Sequence, residues 1–218
     1  GKLSSQSGLI SFASSVSLGE AGTIDIQGGT LQLSGNMSVS GGTLTIADTT
    51  ELNLNNDVSI SSNRALSIGT LEMNNRSLTF TATENADLTL KKAFSLNNGS
   101  TLQMNGANLT FAETATIAGI LEPSGGTLTF QNGGSVAGTL NSKNSTLALQ
   151  NANLVFTGLL QTNATTTLTG ANLLNLSNAK LDVEGSLTLD DVTTSNSTVL
   201  KLIADTTITK NAPFTLGS

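Results

Sequence analysis

Asp190-Asp191, with Asp182 and Asp205, is the best candidate carboxylate cluster in the sequence. Acid–base cleavage of a glycosidic bond needs two carboxylates flanking the sugar, so a carbohydrate-active site, lyase or hydrolase, would be sought here. The side chains that normally accompany such a site are missing. None of the 218 residues is His, Cys, Tyr or Trp, arginine occurs only at Arg64 and Arg76, and the seven Phe are the only aromatic groups. A sugar-cleaving groove draws on cations and aromatic platforms. Ser–His and Cys–His nucleophiles cannot be assembled at all, and transition metals lack ligands. Acids scattered among Ser, Thr and Asn serve equally as solvated turn residues, and the composition favours that role. "GGTL" at Gly28, Gly41 and Gly125 resembles part of a calcium-binding repeat without its recurring Asp. No cofactor, no metal and no catalytic residue is therefore expected.

A second pattern is Thr-x-Thr, at Thr43/Thr45, Thr127/Thr129, Thr167/Thr169 and Thr207/Thr209. Thr23, Thr89, Thr110, Thr146 and Thr188 supply half of the motif at related positions. Stacked in register, these residues would make a flat hydroxyl ladder suited to ice or another crystalline surface. Thr is also simply a good strand residue for an exposed face, and Ala65/Ser67 and Asp87/Thr89 interrupt the array. Asn-x-Ser/Thr occurs at Asn36, Asn75, Asn98, Asn108, Asn144, Asn163, Asn175 and Asn196, as chance allows in a chain rich in these residues.

The elements that must carry these residues are legible in "GGTLTIADTTELNLNNDVSIS" (41–61), where Leu44-Thr45-Ile46, Leu52-Asn53-Leu54 and Val58-Ser59-Ile60 follow one another closely. Apolar-polar-apolar triplets begin at Ile24, Leu31, Met37, Leu44, Leu52, Val58, Leu66, Leu71, Leu78 and Leu88. Period two marks strands with one buried face, each too short for a useful helix. Gly28-Gly29, Gly41-Gly42, Asn55-Asn56-Asp57 and Asn74-Asn75 separate them, residue types that tolerate the positive φ of tight turns.

Every third triplet aligns into a column: Ile24, Leu44, Leu66, Leu88, Leu109, Leu128, Leu147, Leu168, Leu187 and Ile208. A second column runs through Leu31, Leu52, Leu71, Phe94, Ala115, Val136, Leu154, Leu173, Val192 and Phe214. The third passes through Val16, Met37, Val58, Leu78, Leu102, Ile120, Leu140, Leu159, Leu181 and Leu200. Three strands per turn of about 20 residues predict an all-β, parallel β-helix of about ten coils, in which each turn is stable only when stacked on its neighbours. At ~4.8 Å per layer this is a rod of roughly 45 to 50 Å. The segment 81–94 carries the widest gap between first-half triplets and is expected to protrude as a loop or a single helical turn. No composition shift divides the chain, so residues 1–218 are expected to form one solenoid domain.

Charged residues make up 11% of the chain, against roughly 25% in ordinary domains. The net charge is −6 and the densest cationic cluster is Lys91-Lys92, which argues against nucleic acid and against anionic membrane surfaces. No stretch approaches the ~20 consecutive apolar residues of a membrane helix, so no membrane insertion by this segment is expected. The chain starts with Gly and stops in mid-pattern, as a piece of a longer solenoid would. A cysteine-free β-repeat of this size fits bacterial export.

"GTIDIQGGTLQLSGNMSVSGGTLTI" and "GGTLTFQNGGSVAGTL" resemble the passenger regions of bacterial autotransporters and related large exported adhesins. The resemblance implies a right-handed β-helix displayed at the bacterial cell surface, attached to the outer membrane through other regions. It also implies adhesion, aggregation or a stalk role. The implied partners are a host or neighbouring-cell glycan or protein, or another copy of the chain. It transfers no functional residue, because it contains no site motif.

Overall fold

The computed structural model describes residues 1–84, 86–149, 154–169, 174–175, 180–183, 186–189, 192–193, 199–202 and 207–210. Among them there is no helix, and every strand pair is parallel. The chain winds as a β-solenoid with three strands per turn. Eight turns run almost continuously from Lys2–Ser5 to the first half of Leu159–Thr169, and strands of two more follow.

The three faces are the three apolar columns made solid. On the first face Thr23–Ile26 pairs Thr43–Ile46, and Leu66–Ile68 starts a second stack through Leu88–Leu90, Leu109–Phe111 and Thr127–Phe130. The second face is interrupted between Thr70–Glu72 and Phe94–Leu96. The third runs without a break from Val16–Leu18 to Val199–Leu202. In all ten first-half triplets both apolar members face inward, and only Leu44 among them is less than fully buried. The interior holds a short aromatic stack: Phe94 and Phe111 lie 5.5 Å apart at 15°, and Phe111 and Phe130 4.9 Å apart. Such contacts add to the area these rings bury.

Register departs from the sequence columns where two apolar residues are adjacent. Leu102 is in register with Leu121, and Leu140 with Leu160. Ile120 therefore points outward at 41% exposure, and Leu159 is only half-buried. Leu154 likewise pairs Leu174 and not Leu173. A one-residue choice reverses the face of a side chain, and an apolar doublet satisfies both choices. Other departures slip by two and keep the inward face. Met37 pairs Ile60, Ala115 pairs Gly134, Val136 pairs Phe156, and Leu168 pairs Leu189. Phe214 lies outside the described residues.

The 81–94 segment does not bulge out as one loop. Its first residues complete the strand Ser77–Ala82, Ala86 is buried, and Leu88–Leu90 rejoins the first face. Lys91 and Lys92 donate their amides to Ile68 and Gly69 one turn below.

One corner disappears in the later turns. Thr139–Leu149 and Leu159–Thr169 are eleven-residue strands that run from the third face straight into the first. No glycine breaks 139–149, and the bend is made at Asn144, with φ 49°, where the register shifts between Lys143 and Ser145. The bend buries hydroxyls. Ser142 Oγ lies 3.2 Å from Thr166 Oγ1, and Ser145 Oγ shares its one proton between the carbonyls of Pro123 (3.0 Å) and Lys143 (2.9 Å). Pro123 has no N–H to give the ladder, and its strand pairs the next turn through Ile120, Leu121 and Ser124 only.

Candidate functional site

The threonine face occupies the outside of the first column, and its register differs from the simple two-row ladder. Thr127, Thr146, Thr167, Thr188 and Thr209 are in register, one per turn, as a single continuous row. Beside it runs Ser67, Thr89, Thr110, Thr129, Ala148 and Thr169. Thr207 belongs to a third row with Ser186 and Thr165. The pair Thr207/Thr209 is thus displaced sideways from Thr127/Thr129. Thr43 and Thr45 are exposed but sit in the separate first stack, opposite Thr23 and Asp25. Thr207 and Thr209 are also exposed, Thr127 and Thr167 are half-buried, and Thr129 is only 9% exposed. Rows repeat at about 4.8 Å along the rod and neighbouring rows stand about 7 Å apart across it, two strand residues on. The main row is periodic in register and carries no charged residue.

A second feature was not foreseen from the sequence. At the corner between the second and third faces a groove of about 720 Å³ runs along the rod over several turns. It exists because the corner shrinks to two residues in three successive turns. Ala118 and Gly119 both donate their amides to the Leu96 carbonyl (2.7 and 2.9 Å). Ala137 and Gly138 do the same to Ile117 (2.8 and 3.0 Å), and Thr157 and Gly158 to Val136 (2.9 and 3.1 Å). The turns approach so closely that a Cβ at Gly138 would run into the Gly119 carbonyl oxygen and the Ala118 backbone. The floor amides are consumed by these bonds. What the groove offers is therefore side-chain chemistry: the apolar wall of Ile120 and Leu159, the hydroxyls of Thr101 and Thr139, and Lys180 at one end. The sequence signal was present as X-Gly pairs ahead of Ile120, Thr139 and Leu159. Placing Ile120 and Leu159 in the core concealed it.

The acid group does not come together as a described site. Asp182 is half-buried on the third face, in register with Gln161 and Lys201, while Asp190, Asp191 and Asp205 lie outside the described residues. The three "GGTL" stretches are not equivalent. Gly28-Gly29 leads into the second face, whereas Gly41-Gly42 and Gly125-Gly126 lead into the first. Among the described residues no three acids gather as metal ligands would. The Asn-x-Ser/Thr asparagines include structural ones: Asn36 Oδ1 accepts from the Ser59 amide (2.8 Å) and Asn108 Oδ1 from the Thr127 amide (2.7 Å). Asn196 lies outside the described residues.

The chain matches no protein-family model, no curated protein and no solved structure. What is established is the architecture: a parallel β-solenoid of three strands per turn, with a hydroxyl face and a corner groove.

Proposed function

We propose that this chain is a non-enzymatic solenoid segment of a bacterial cell-surface protein, serving as an adhesive or spacer rod. The observation that carries this reading is the unbroken third face. Its outward row runs Ser59, Thr79, Gln103, Glu122, Asn141, Gln161, Asp182 and Lys201, one polar side chain per turn of a continuous hydrogen-bonded stack. A surface that places one polar side chain at the same position in every turn offers many weak contacts, which gain strength through multivalency. A sheet carried from turn to turn, its ladder thinned at Glu122 and Pro123, makes the same structure stiff enough to hold a neighbouring domain at a distance. Display on a non-adherent bacterium tests it. The expected result is attachment to a glycan or host-matrix array, or clumping of the displaying cells. Release of cleaved product from acidic polysaccharides by the purified chain would overturn the non-enzymatic reading in favour of a carbohydrate-active enzyme.

The in-register row Thr127, Thr146, Thr167, Thr188 and Thr209 favours one further reading, recognition of ice or another crystalline surface. It predicts thermal hysteresis that is lost in a Thr127→Tyr/Thr167→Tyr variant; no hysteresis in the parent chain removes it for ice.

A further inference from the structure

Three Asn-Gly steps occur in the described residues, Asn98-Gly99, Asn105-Gly106 and Asn132-Gly133, and the fold treats them differently. Asn-Gly is the sequence most open to intramolecular imide formation, because a glycine nitrogen meets no Cβ as it approaches the asparagine side chain. The reaction needs a free amide at the glycine, a free carboxamide at the asparagine and room for the ring. At Asn105 the step is tied down: the Gly106 amide donates to the Ser124 carbonyl at 2.8 Å, and Asn105 Nδ2 lies within reach of Thr81 Oγ1 at 3.5 Å. At Asn132 the side-chain amide donates to the Ala112 carbonyl at 2.6 Å, and Gly133 is buried. At Asn98 both residues are exposed, and neither the Gly99 amide nor the Asn98 carboxamide bonds to any described residue. Gly99 has a φ of 91° and open space where a Cβ would stand.

We propose that Asn98 is a site of spontaneous covalent modification, a deamidation centre at the end of the corner groove, which Asn98 and Gly99 help to line. The Gly99 nitrogen attacks Asn98 Cγ. The N–Cγ bond forms, the Cγ–Nδ2 bond breaks, and ammonia leaves with the Gly99 amide proton. Water then opens the imide: at the Cγ–N bond it leaves aspartate at position 98, and at the backbone C–N bond it leaves isoaspartate. No oxidant or enzyme is needed. The product carries a carboxylate at the groove's end, making the chain one unit more negative than its present −6. The inference does not depend on whether the rod is adhesive.

The test is peptide mapping of the purified chain after incubation in mildly alkaline buffer, with and without denaturing urea. In the folded chain, amide loss at Asn98 is expected to run at least about tenfold ahead of Asn105 and Asn132, a barrier difference of ~1.4 kcal/mol. In urea the three rates converge. An Asn98→Gln variant loses the early ammonia release while keeping the parent unfolding midpoint, and Asn105→Gln leaves that release intact. Equal rates at the three sites in the folded chain would overturn the proposal. So would an intact Asn98 amide after the unfolded chain has reacted at all three.

Discussion

Replacing Gly138 by Ala adds one methyl group at a corner where successive turns of the solenoid stack closely. That carbon would meet the Gly119 carbonyl oxygen and the Ala118 backbone, neither of which is the free end of a side chain. The two turns must part to admit it, and three hydrogen bonds span the gap nearby: Ala137 and Gly138 amides to Ile117 O, and the Thr139 amide to Gly119 O at 3.0 Å. At about 1 kcal/mol net for each bond, parting the turns costs about 3 kcal/mol. In a chain of this size that lowers Tm by very roughly 6 to 12 °C. Gly99→Ala is the control. Its added carbon meets nothing, so it carries only the ~1 to 2 kcal/mol of left-handed backbone strain. Urea unfolding followed by far-UV circular dichroism ranks the two. A Gly138→Ala chain as stable as the parent, or more stable than Gly99→Ala, would refute the close stacking of these corners.

Three further substitutions probe the core. Leu121→Ala should cost about 2 to 5 kcal/mol in the same unfolding assay, and Ile120→Ala no more than about 0.5; the reverse order would restore the register that the sequence suggests. Phe111→Ala removes the middle ring of the aromatic stack and should cost about 3 to 5 kcal/mol, whereas a cost under ~1 would mean the interior is loosely packed there. Ser145→Ala takes the hydroxyl from the Pro123 carbonyl and should cost about 1 kcal/mol, with faster amide exchange confined to the 120–149 bend; unchanged exchange would show that the hydroxyl does not hold that bend.

Legibility of the fold from sequence followed the spacing of apolar residues. Where a single polar residue separates two apolar ones, as at Leu52-Asn53-Leu54 or Leu78-Thr79-Phe80, period two leaves one way to face the core, and the structure takes it. Where apolar residues adjoin, as at Ile120-Leu121 and Leu159-Leu160, the pattern fits both faces, and only the stacking partners Leu102 and Leu140 decide. Slips of two, such as Met37 to Ile60, are invisible to periodicity because both alternatives are buried. The surface features were read correspondingly. Thr-x-Thr placed threonine on an outer face, but the slip that pairs Leu168 with Leu189 moved Thr207 into another row. The groove depends on how closely Gly119, Gly138 and Gly158 stack, a property of successive turns that no single stretch of sequence displays.

The most direct measurement is a set of spin-label distances along one face, made simple by the absence of native cysteine. Cysteine pairs at Ser59/Gln103 and Ser59/Lys201 span two and seven steps of the third-face register. At ~4.8 Å per step the backbone separations should be about 10 and about 34 Å, growing in proportion to the number of turns crossed. Separations that do not scale with the turns, such as a Ser59/Lys201 pair as close as Ser59/Gln103, would contradict a stacked parallel solenoid.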